Sequence, residues 1–588
     1  MRGDGPDPAA SGGPGRGATG RPGPAGADVE VLVVGGGPAG LTVAHELARR
    51  GVRLRVLDRA PGPATTSRAL ATHPRTMEVC HQMGLADELL ARGQRVEHFT
   101  LHMRGRPLIR FDTNYARLPT RYPYTLMVDQ VLTEEVLRDG LRRLGVEVEW
   151  GTELVDFTPG PRQVTARLRS TGTEAATELT AGWLVGADGS RSTVREQLGL
   201  RLHGGAARVW LNADVVLDAP LPRDSNHLLH TGNGTLLLVP FPAPGKWRIV
   251  DTEYTADTMD ADDPEAVRAA LSRKLEKALG RPVAVAAPTW ISVFRVQQRM
   301  ITAMRSGRCF VAGDAAHVHS PASGQGMNTG IQDAYNLAWK LADVVRGHAR
   351  DALLDTYPAE RLPVGGRLLG STKKATALVA LRNAAAPVLM PVALTALKAL
   401  RPAKRRVEHR MMAGMSGLAL HYEGGPLTPG PTADAVDGIR PGRRVGCSAD
   451  DEKRHPGWRA LCAELTDPRW TLLLFGDGDR SGDSRDGDGN GSDGDSAGER
   501  CAERVAEAYG RAVSVRVVVP GAEGGEGPYA LADPDGALGR ALGPGPGAYA
   551  LIRPDGYLAD RGPATGFTGL AAVFDGFHLL PGGERAGE

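Results

Sequence analysis

Between Asp28 and Ala60 the chain reads DVEVLVVGGGPAGLTVAHELARRGVRLRVLDRA, and no other stretch restricts the fold as tightly. Val29 to Val34 is an apolar run of strand length, Gly35, Gly37 and Gly40 satisfy a G-x-G-x-x-G spacing, and Leu41 to Arg50 follows as a helix. A second strand, Leu54 to Leu57, ends on Asp58. The first glycine permits a tight turn, the second lets backbone approach a pyrophosphate, and the third lets helix pack on strand. Pro38 and Ala39 lie where the helix begins, and the N–H groups and positive dipole end of such a helix favour an anion. An acid about 20 residues on accepts the hydroxyls of an adenosine ribose; Asp58 stands there, followed by Arg59. A strand–turn–helix–strand unit of this kind specifies an α/β, Rossmann-like domain that binds a dinucleotide. These residues alone do not separate FAD from NAD.

The stretch from Cys309 to Leu341 does. It reads CFVAGDAAHVHSPASGQGMNTGIQDAYNLAWKL. Phe310 to Ala312 is a short apolar strand that delivers Gly313 and Asp314 into a loop. The loop carries Pro321 and a Gly324-Gln325-Gly326 turn; after it Ile331, Ala334, Leu337, Ala338 and Leu341 recur at helical spacing. A carboxylate at a strand end accepts hydrogen bonds from sugar-type hydroxyls, and a glycine-rich helix start presents N–H groups to an anion or a polarised ring. In this order the parts resemble the second flavin-binding motif of the single-component FAD monooxygenases that hydroxylate aromatic rings. The resemblance implies that Asp314 holds the ribityl chain of a non-covalent FAD. It also implies that Gly326, Met327 and Asn328 face the pyrimidine edge, with Pro321, Gly324 and Gln325 supporting the flavin side.

Three further segments match the same family. GADGSRSTVREQLGL carries its Asp-Gly fingerprint at Asp188 and Gly189, with Arg191 and Arg195 following. The resemblance gives Asp188 the task of ordering backbone near the FAD pyrophosphate and a transient NADPH site; a helix-capping Asp is the alternative. It places Arg68 near the flavin and Gln130, at a strand–helix junction, on the flavin side of the cofactor. Arg75 and Thr76 open a helix in the family pattern, and a surface arginine is the alternative for Arg75.

The 588 residues exceed one core, since cores stop growing near roughly 250–300 residues. The net charge of +2 gives no electrostatic reason to bind nucleic acid or an anionic membrane. Five cysteines stand far apart in sequence without CxxC, and the histidines show no HExxH, so free thiols in a reducing cytoplasm and no metal site are expected. Residues 1–27 lack the apolar core of a signal peptide and are expected to be a disordered tail. A domain over 28–425 would then bind FAD, with an interleaved substrate domain whose antiparallel sheet spans about 201–298. In the family this sheet roofs the flavin ring; Trp210, Phe241 and Trp247 are either pocket lining or core. The apolar stretch 375–400 has an uncharged run of fifteen residues broken by Pro387 and Pro391, short of the roughly 20 needed to span a membrane. It suits helices packed on the body or a homodimer surface.

From Gly438, GIRPGRRVG and the apolar runs Trp470 to Phe475 and Val513 to Val519 are similar to the thioredoxin-like C-terminal domain of phenol- and polyketide-type hydroxylases, expected over 426–588. That fold would carry a CxxC after Trp470–Phe475; Cys501 stands alone there, so no disulfide chemistry is expected. The insert at 476–500 is Gly, Asp and Ser. Asp486, Asp488 and Asn490 fit the start of a calcium loop, but Ala497 occupies the position where Glu is required, leaving a flexible loop. The resemblance implies an aromatic hydroxylase: NADPH reduces FAD, dioxygen forms a flavin hydroperoxide, and an electron-rich, polycyclic phenol or quinone attacks it. Oxygen insertion of the Baeyer–Villiger kind, or a flavoprotein that sequesters its ligand, are the competing readings.

Overall fold

The computed structural model describes residues 27–582, apart from 104, 113–117, 233, 258, 320–323, 381–385, 429–437, 477–496, 522–526 and 543–544. Residues 1–26 of the expected tail, most of the insert and Pro321 therefore lie outside the described residues.

An eight-stranded sheet follows the path Arg305–Ser306, Cys309–Val311, Ala176–Gly186, Val29–Val34, Leu54–Asp58, Val148–Trp150, with Val164–Ser170 pairing Ala176–Gly186 and Thr152–Pro159 pairing Val164–Ser170 off that path. Val29–Val34 runs parallel to both Leu54–Asp58 and Ala176–Gly186, and Ala176–Gly186 runs parallel to Cys309–Val311. Segments far apart in sequence thus leave the sheet at one edge, where Gly35, Asp58, Asp188 and Asp314 occur. Parallel strands covered on both faces need apolar residues on both. Val31, Leu32, Val33, Leu184 and Val185 supply them and are wholly buried.

A nine-stranded sheet has the order His317–Val318, Trp290–Met300, His203–Asp218, Lys246–Asp251, Thr235–Pro240, Ser225–His230, His98–Met103, Arg106–Asp112, with Ala284–Val285 pairing the end of His203–Asp218 off that path. Between 203 and 300 the pairings are antiparallel. The sheet is nevertheless larger than the 201–298 stretch, because His98–Met103 joins it parallel to Ser225–His230. Alternation along the strands sorts its two faces. Leu211, Ala213 and Val215 pack under the helix Pro264–Leu279, which Asp263 caps by accepting from the Glu265 N–H at 2.9 Å. Trp247 belongs to that cluster and is core. Phe241 packs with Leu70, Val96 and Met127, while Trp210 lies on the opposite face among Leu228, Val250 and Val296.

The third sheet orders Ala530–Asp533, Val513–Pro520, Trp470–Phe475, Ala548–Ile552 and Leu558–Pro563. The turn joining its last two strands drives Arg553 and Asp555 into the body of the protein, where they are 1% and 2% exposed. Arg553 donates to both carboxylate oxygens of Glu360, at 2.6 and 2.9 Å, and to Asp555 at 2.9 and 2.7 Å. Lys340, on the helix Gly326–Val345, donates to the same Glu360 at 2.8 Å, and Asn336 donates to Asp555 at 3.1 Å. Arg75 is no surface arginine. It is buried in this seam, paired with Glu78 at 3.1 Å and donating to the Asp555 carbonyl at 2.6 Å.

Two of the cysteines that stand apart in sequence meet here: Cys447 Sγ lies 3.9 Å from Cys462 Sγ, both as free thiols. The hydrogen bond to Cys462, with burial added, pushes the Cys447 thiol up. Cys501 is half-buried on the helix Ala497–Tyr509, well separated in the chain from both.

Burial pushes the Glu360 carboxyl up, but Arg553 and Lys340 outweigh it and hold it at about 2, against 4.5 normally. Removing one partner of a buried pair strands the other charge, so Arg553→Met is expected to lower the unfolding free energy by about 3–5 kcal/mol. Because the folded-state pKa is depressed, the stabilisation is complete above pH 4.5 and disappears as pH falls towards 2. Urea titrations of variant and parent should therefore show a deficit that shrinks across this range; a constant deficit would contradict the assignment.

Candidate active site

The glycine turn after Val29–Val34 is forced by close approach. Gly35 has φ +114°, and a Cβ there would sit 2.3 Å from the Ala187 carbonyl oxygen; one on Gly40 would sit 1.9 Å from the Gly35 oxygen. These two glycines close the loop on the neighbouring strand. Gly37 differs, because a Cβ there meets nothing within 4 Å. It faces the cleft. The helix Pro38–Arg49 starts immediately afterwards with no side-chain cap and no acidic residue in its first turn, so its N–H groups and dipole remain available to an anion. Asp58 accepts from the Gly36 N–H at 2.7 Å and the Ala60 N–H at 2.8 Å, which fixes its carboxylate beside the turn. Arg59 next to it is exposed.

The second motif reaches the same place. Gly313, at φ +63°, would place a Cβ 3.0 Å from the Cβ of Ala39, and a Cβ on Gly330 would lie 3.3 Å from the Cα of Gly313. Small residues therefore let the helices Pro38–Arg49 and Gly326–Val345 cross close together beside Asp314. The helix Gly326–Val345 also starts without a side-chain cap or an acidic residue in its first turn. Asp314 is exposed towards the cleft yet walled by protein. The resulting desolvation raises its carboxyl above the usual range, against the pull of His317 and Arg68. Desolvation would lower the His317 imidazole, but its 2.5 Å contact with Asp333 raises it instead.

Several family positions act on backbone. Asn328 accepts from the His73 N–H at 2.8 Å and donates to the carbonyls of Ala71 and Gly324 at 2.8 and 2.7 Å. Gln325 donates to the Gly414 carbonyl at 2.9 Å, and Met327 is half-buried at the helix start. Gln130 accepts from the Ala69 N–H at 2.9 Å and donates to Glu134 at 2.8 Å, so its amide fixes the segment that carries Arg68. Asp188 accepts from the Ser192 hydroxyl and the Val194 N–H, which orders the loop into the helix Thr193–Gln197, whose cap is Ser192 accepting from the Arg195 N–H at 2.9 Å. Gly189, at φ +77°, forms the turn between them.

Arg248 and Asp214 escape motif reasoning. Arg248 donates to the carbonyls of Ser67 and Arg68, both at 2.7 Å, and pairs with Asp214 through contacts of 2.7 and 2.9 Å. The pair bolts the nine-stranded sheet to the exposed Arg68. The available signal was a charge within each alternating strand, Asp214 in DVVLD and Arg248 in KWRIVD, on positions that pair across the sheet.

A cleft with an open glycine cradle, two uncapped helix starts and the carboxylates Asp58 and Asp314 fits FAD. The FAD binding domain family matches residues 28–372, and a 6-methylpretetramide 4-monooxygenase from Streptomyces rimosus is 65% identical over 552 residues, 94% of each chain. The chain belongs to the FAD-dependent aromatic monooxygenases. Two solved members share its architecture. The flavin-dependent monooxygenase PieE, in complex with FAD and substrate, matches 94% of this chain and 99% of its own, with a TM-score of 0.75 and 25% identity. Aklavinone-11 hydroxylase, in a ternary complex with FAD and aklavinone, gives 94%, 99%, 0.70 and 26%.

In this monooxygenase the glycines part company in a testable way. Gly37→Val should melt within a degree or two of the parent as apoprotein yet fail to retain yellow FAD, because only the cofactor contests that space. Gly40→Val should lose the fold itself, since its side chain strikes the Gly35 carbonyl. Calorimetry of apoprotein together with the flavin absorbance of purified protein separates the two; a fully yellow Gly37→Val protein would be inconsistent with this cradle.

Proposed function

We propose that this enzyme adds one oxygen atom to a flat polycyclic phenol or quinone, with NADPH as the reductant. The observation that carries the reading is the broad inner face of the nine-stranded sheet, held against the Arg68 segment by Arg248. That face carries Trp210, Leu228, Val250 and Val296 next to the Arg248 anchor, an apolar surface that suits a flat, fused-ring ligand. The names of the relatives support it, since 6-methylpretetramide and aklavinone are both their ligands or substrates.

FAD bound in the cleft supplies hydride acceptance and dioxygen activation. The chain does the rest. Gly37 and the start of Pro38–Arg49 would receive the pyrophosphate, Asp58 the ribose and Asp314 the ribityl hydroxyls. The uncapped start at Gly326 would favour negative charge on a bound flavin through its N–H groups and dipole. Gln130 and Arg248 both hold the backbone of the Arg68 segment, which would keep that segment fixed for a bound cofactor. The C-terminal unit, from about residue 426, has a strand order compatible with a thioredoxin-like fold. Its part is structural: it locks Glu360, Asn336 and Lys340 behind the helix that meets the cofactor, and Cys501 has no resolving thiol beside it.

A single dinucleotide cradle means that reductant and substrate must be coordinated in time. A polycyclic phenol such as 6-methylpretetramide should therefore accelerate NADPH oxidation severalfold over the basal rate. With labelled dioxygen the product should carry one labelled oxygen on an intact ring. A product without label would end the monooxygenase reading of this substrate class, and a labelled, ring-expanded ester would replace hydroxylation by Baeyer–Villiger insertion.

A further inference from the structure

On the strand His203–Asp218, the positions Trp210, Asn212 and Asp214 share the face turned towards the Arg68 segment. Their surroundings change step by step. Asp214 is fully engaged by Arg248, beside the flavin-side segment. Trp210 lies at the far side, edge-on to Phe294 at 6.4 Å, in a cluster touched by Leu394 and Leu397. Asn212 stands between the two, paired across the sheet with Val250 and Ser292. It is 8% exposed, and its buried Oδ1 has no hydrogen-bond partner. The indole Nε1 of Trp210, one step further along the same face, is likewise buried without a partner.

Buried amides are nearly always satisfied, because stripping water from one without replacing its hydrogen bonds costs stability. Asn212 keeps that cost in a strand otherwise well ordered, at a site lying between the cofactor segment and an apolar wall. We infer that Asn212 is a specificity-determining residue: its side-chain amide receives the hydroxyl of a phenolic or enolic ring and donates to the adjacent ring carbonyl. An amide offers one acceptor and two donors in one plane, which matches a keto–phenol edge of a fused ring system. The apolar neighbours Val250 and Phe294 take the ring faces and exclude water from the pair, where a hydrogen bond discriminates most. Trp210 Nε1 offers a second donor to an oxygen further along the same edge. This assignment rests on the polycyclic substrate proposed above.

The test uses the FAD-loaded full chain, with 6-methylpretetramide and its O-methyl ether as probes, and the variants Asn212→Leu and Asn212→Ala. Binding is followed by the change in flavin absorbance, and melting temperature and flavin content are measured on the same samples. Both variants should load FAD, and Asn212→Leu should melt at or above the parent temperature, because an unsatisfied polar atom has been replaced by an apolar group of similar shape. The loss of these two hydrogen bonds should weaken phenol binding at least about tenfold, with KM raised and kcat within about threefold of the parent. The preference for the phenol over its ether should disappear. Parent-like affinity and preference in either FAD-loaded variant would overturn the assignment and leave the substrate reading intact. Loss of folding or of FAD in both variants would overturn it in favour of a purely structural asparagine. If the parent itself fails to bind 6-methylpretetramide, the polycyclic reading falls and the assignment falls with it.

Discussion

The position of the helix start beside Asp314 depends on a stripe of buried polar side chains along that helix. Asp333, Asn336, Lys340 and Asp343 recur every three or four residues of Gly326–Val345, and each is at most 8% exposed. Asp333 binds His317 and Arg361, Asn336 binds Glu360 and Asp555, Lys340 binds Glu360, and Asp343 accepts from the Trp470 indole at 3.2 Å. The apolar side of the same helix, Ile331, Ala334, Leu337 and Leu341, enters the core of the parallel sheet. The helix is thus gripped all round. Its uncapped start is thereby held at a fixed position beside Asp314.

Buried ion pairs are poor evidence for net stability, since desolvation consumes much of their attraction, yet they penalise any arrangement in which one partner is misplaced. In this chain the partners come from three parts of the sequence: the helix itself, Glu360 and Arg361 just after it, and Arg553 and Asp555 nearly two hundred residues later. A displaced C-terminal sheet would leave the buried Glu360 without Arg553, with only Lys340 and the Asn336 amide to answer it. The charges make docking all-or-none, and this gives the third sheet a role in the architecture of the cleft without bringing any of its residues to the reacting atoms.

A comparable device secures the roof. Arg248 is satisfied by Asp214 on its own sheet and by two carbonyls of the segment carrying Arg68, and Gln130 grips the next residue of that segment from the other side. Between this polar anchor and the apolar cluster around Trp210 the sheet leaves one buried amide, Asn212, incompletely satisfied. Order at the rim and an unanswered polar group within it are what a recognition surface requires.

The sequence by itself determined the cofactor cradle. Gly35, Gly37 and Gly40 lie within six residues of one another, and Asp58 and the Gly313–Asn328 stretch are equally local, so spacing alone encodes turn, helix start and carboxylate. Even so, sequence could not say that Gln130 and Asn328 direct their side chains at the backbone of Ala69, His73 and Ala71, because those partners are remote in the chain. The tertiary structure alone decided the environment of charge. Asp333, Asn336, Lys340 and Asp343 have the periodicity of a solvated helix face, Arg75 that of a surface arginine, and Asp214 and Arg248 that of exposed strand positions. Periodicity states which residues share a face, but not what covers it. Here the covering groups are Glu360, Arg553, Asp555 and the Arg68 segment, and only folding brings them there.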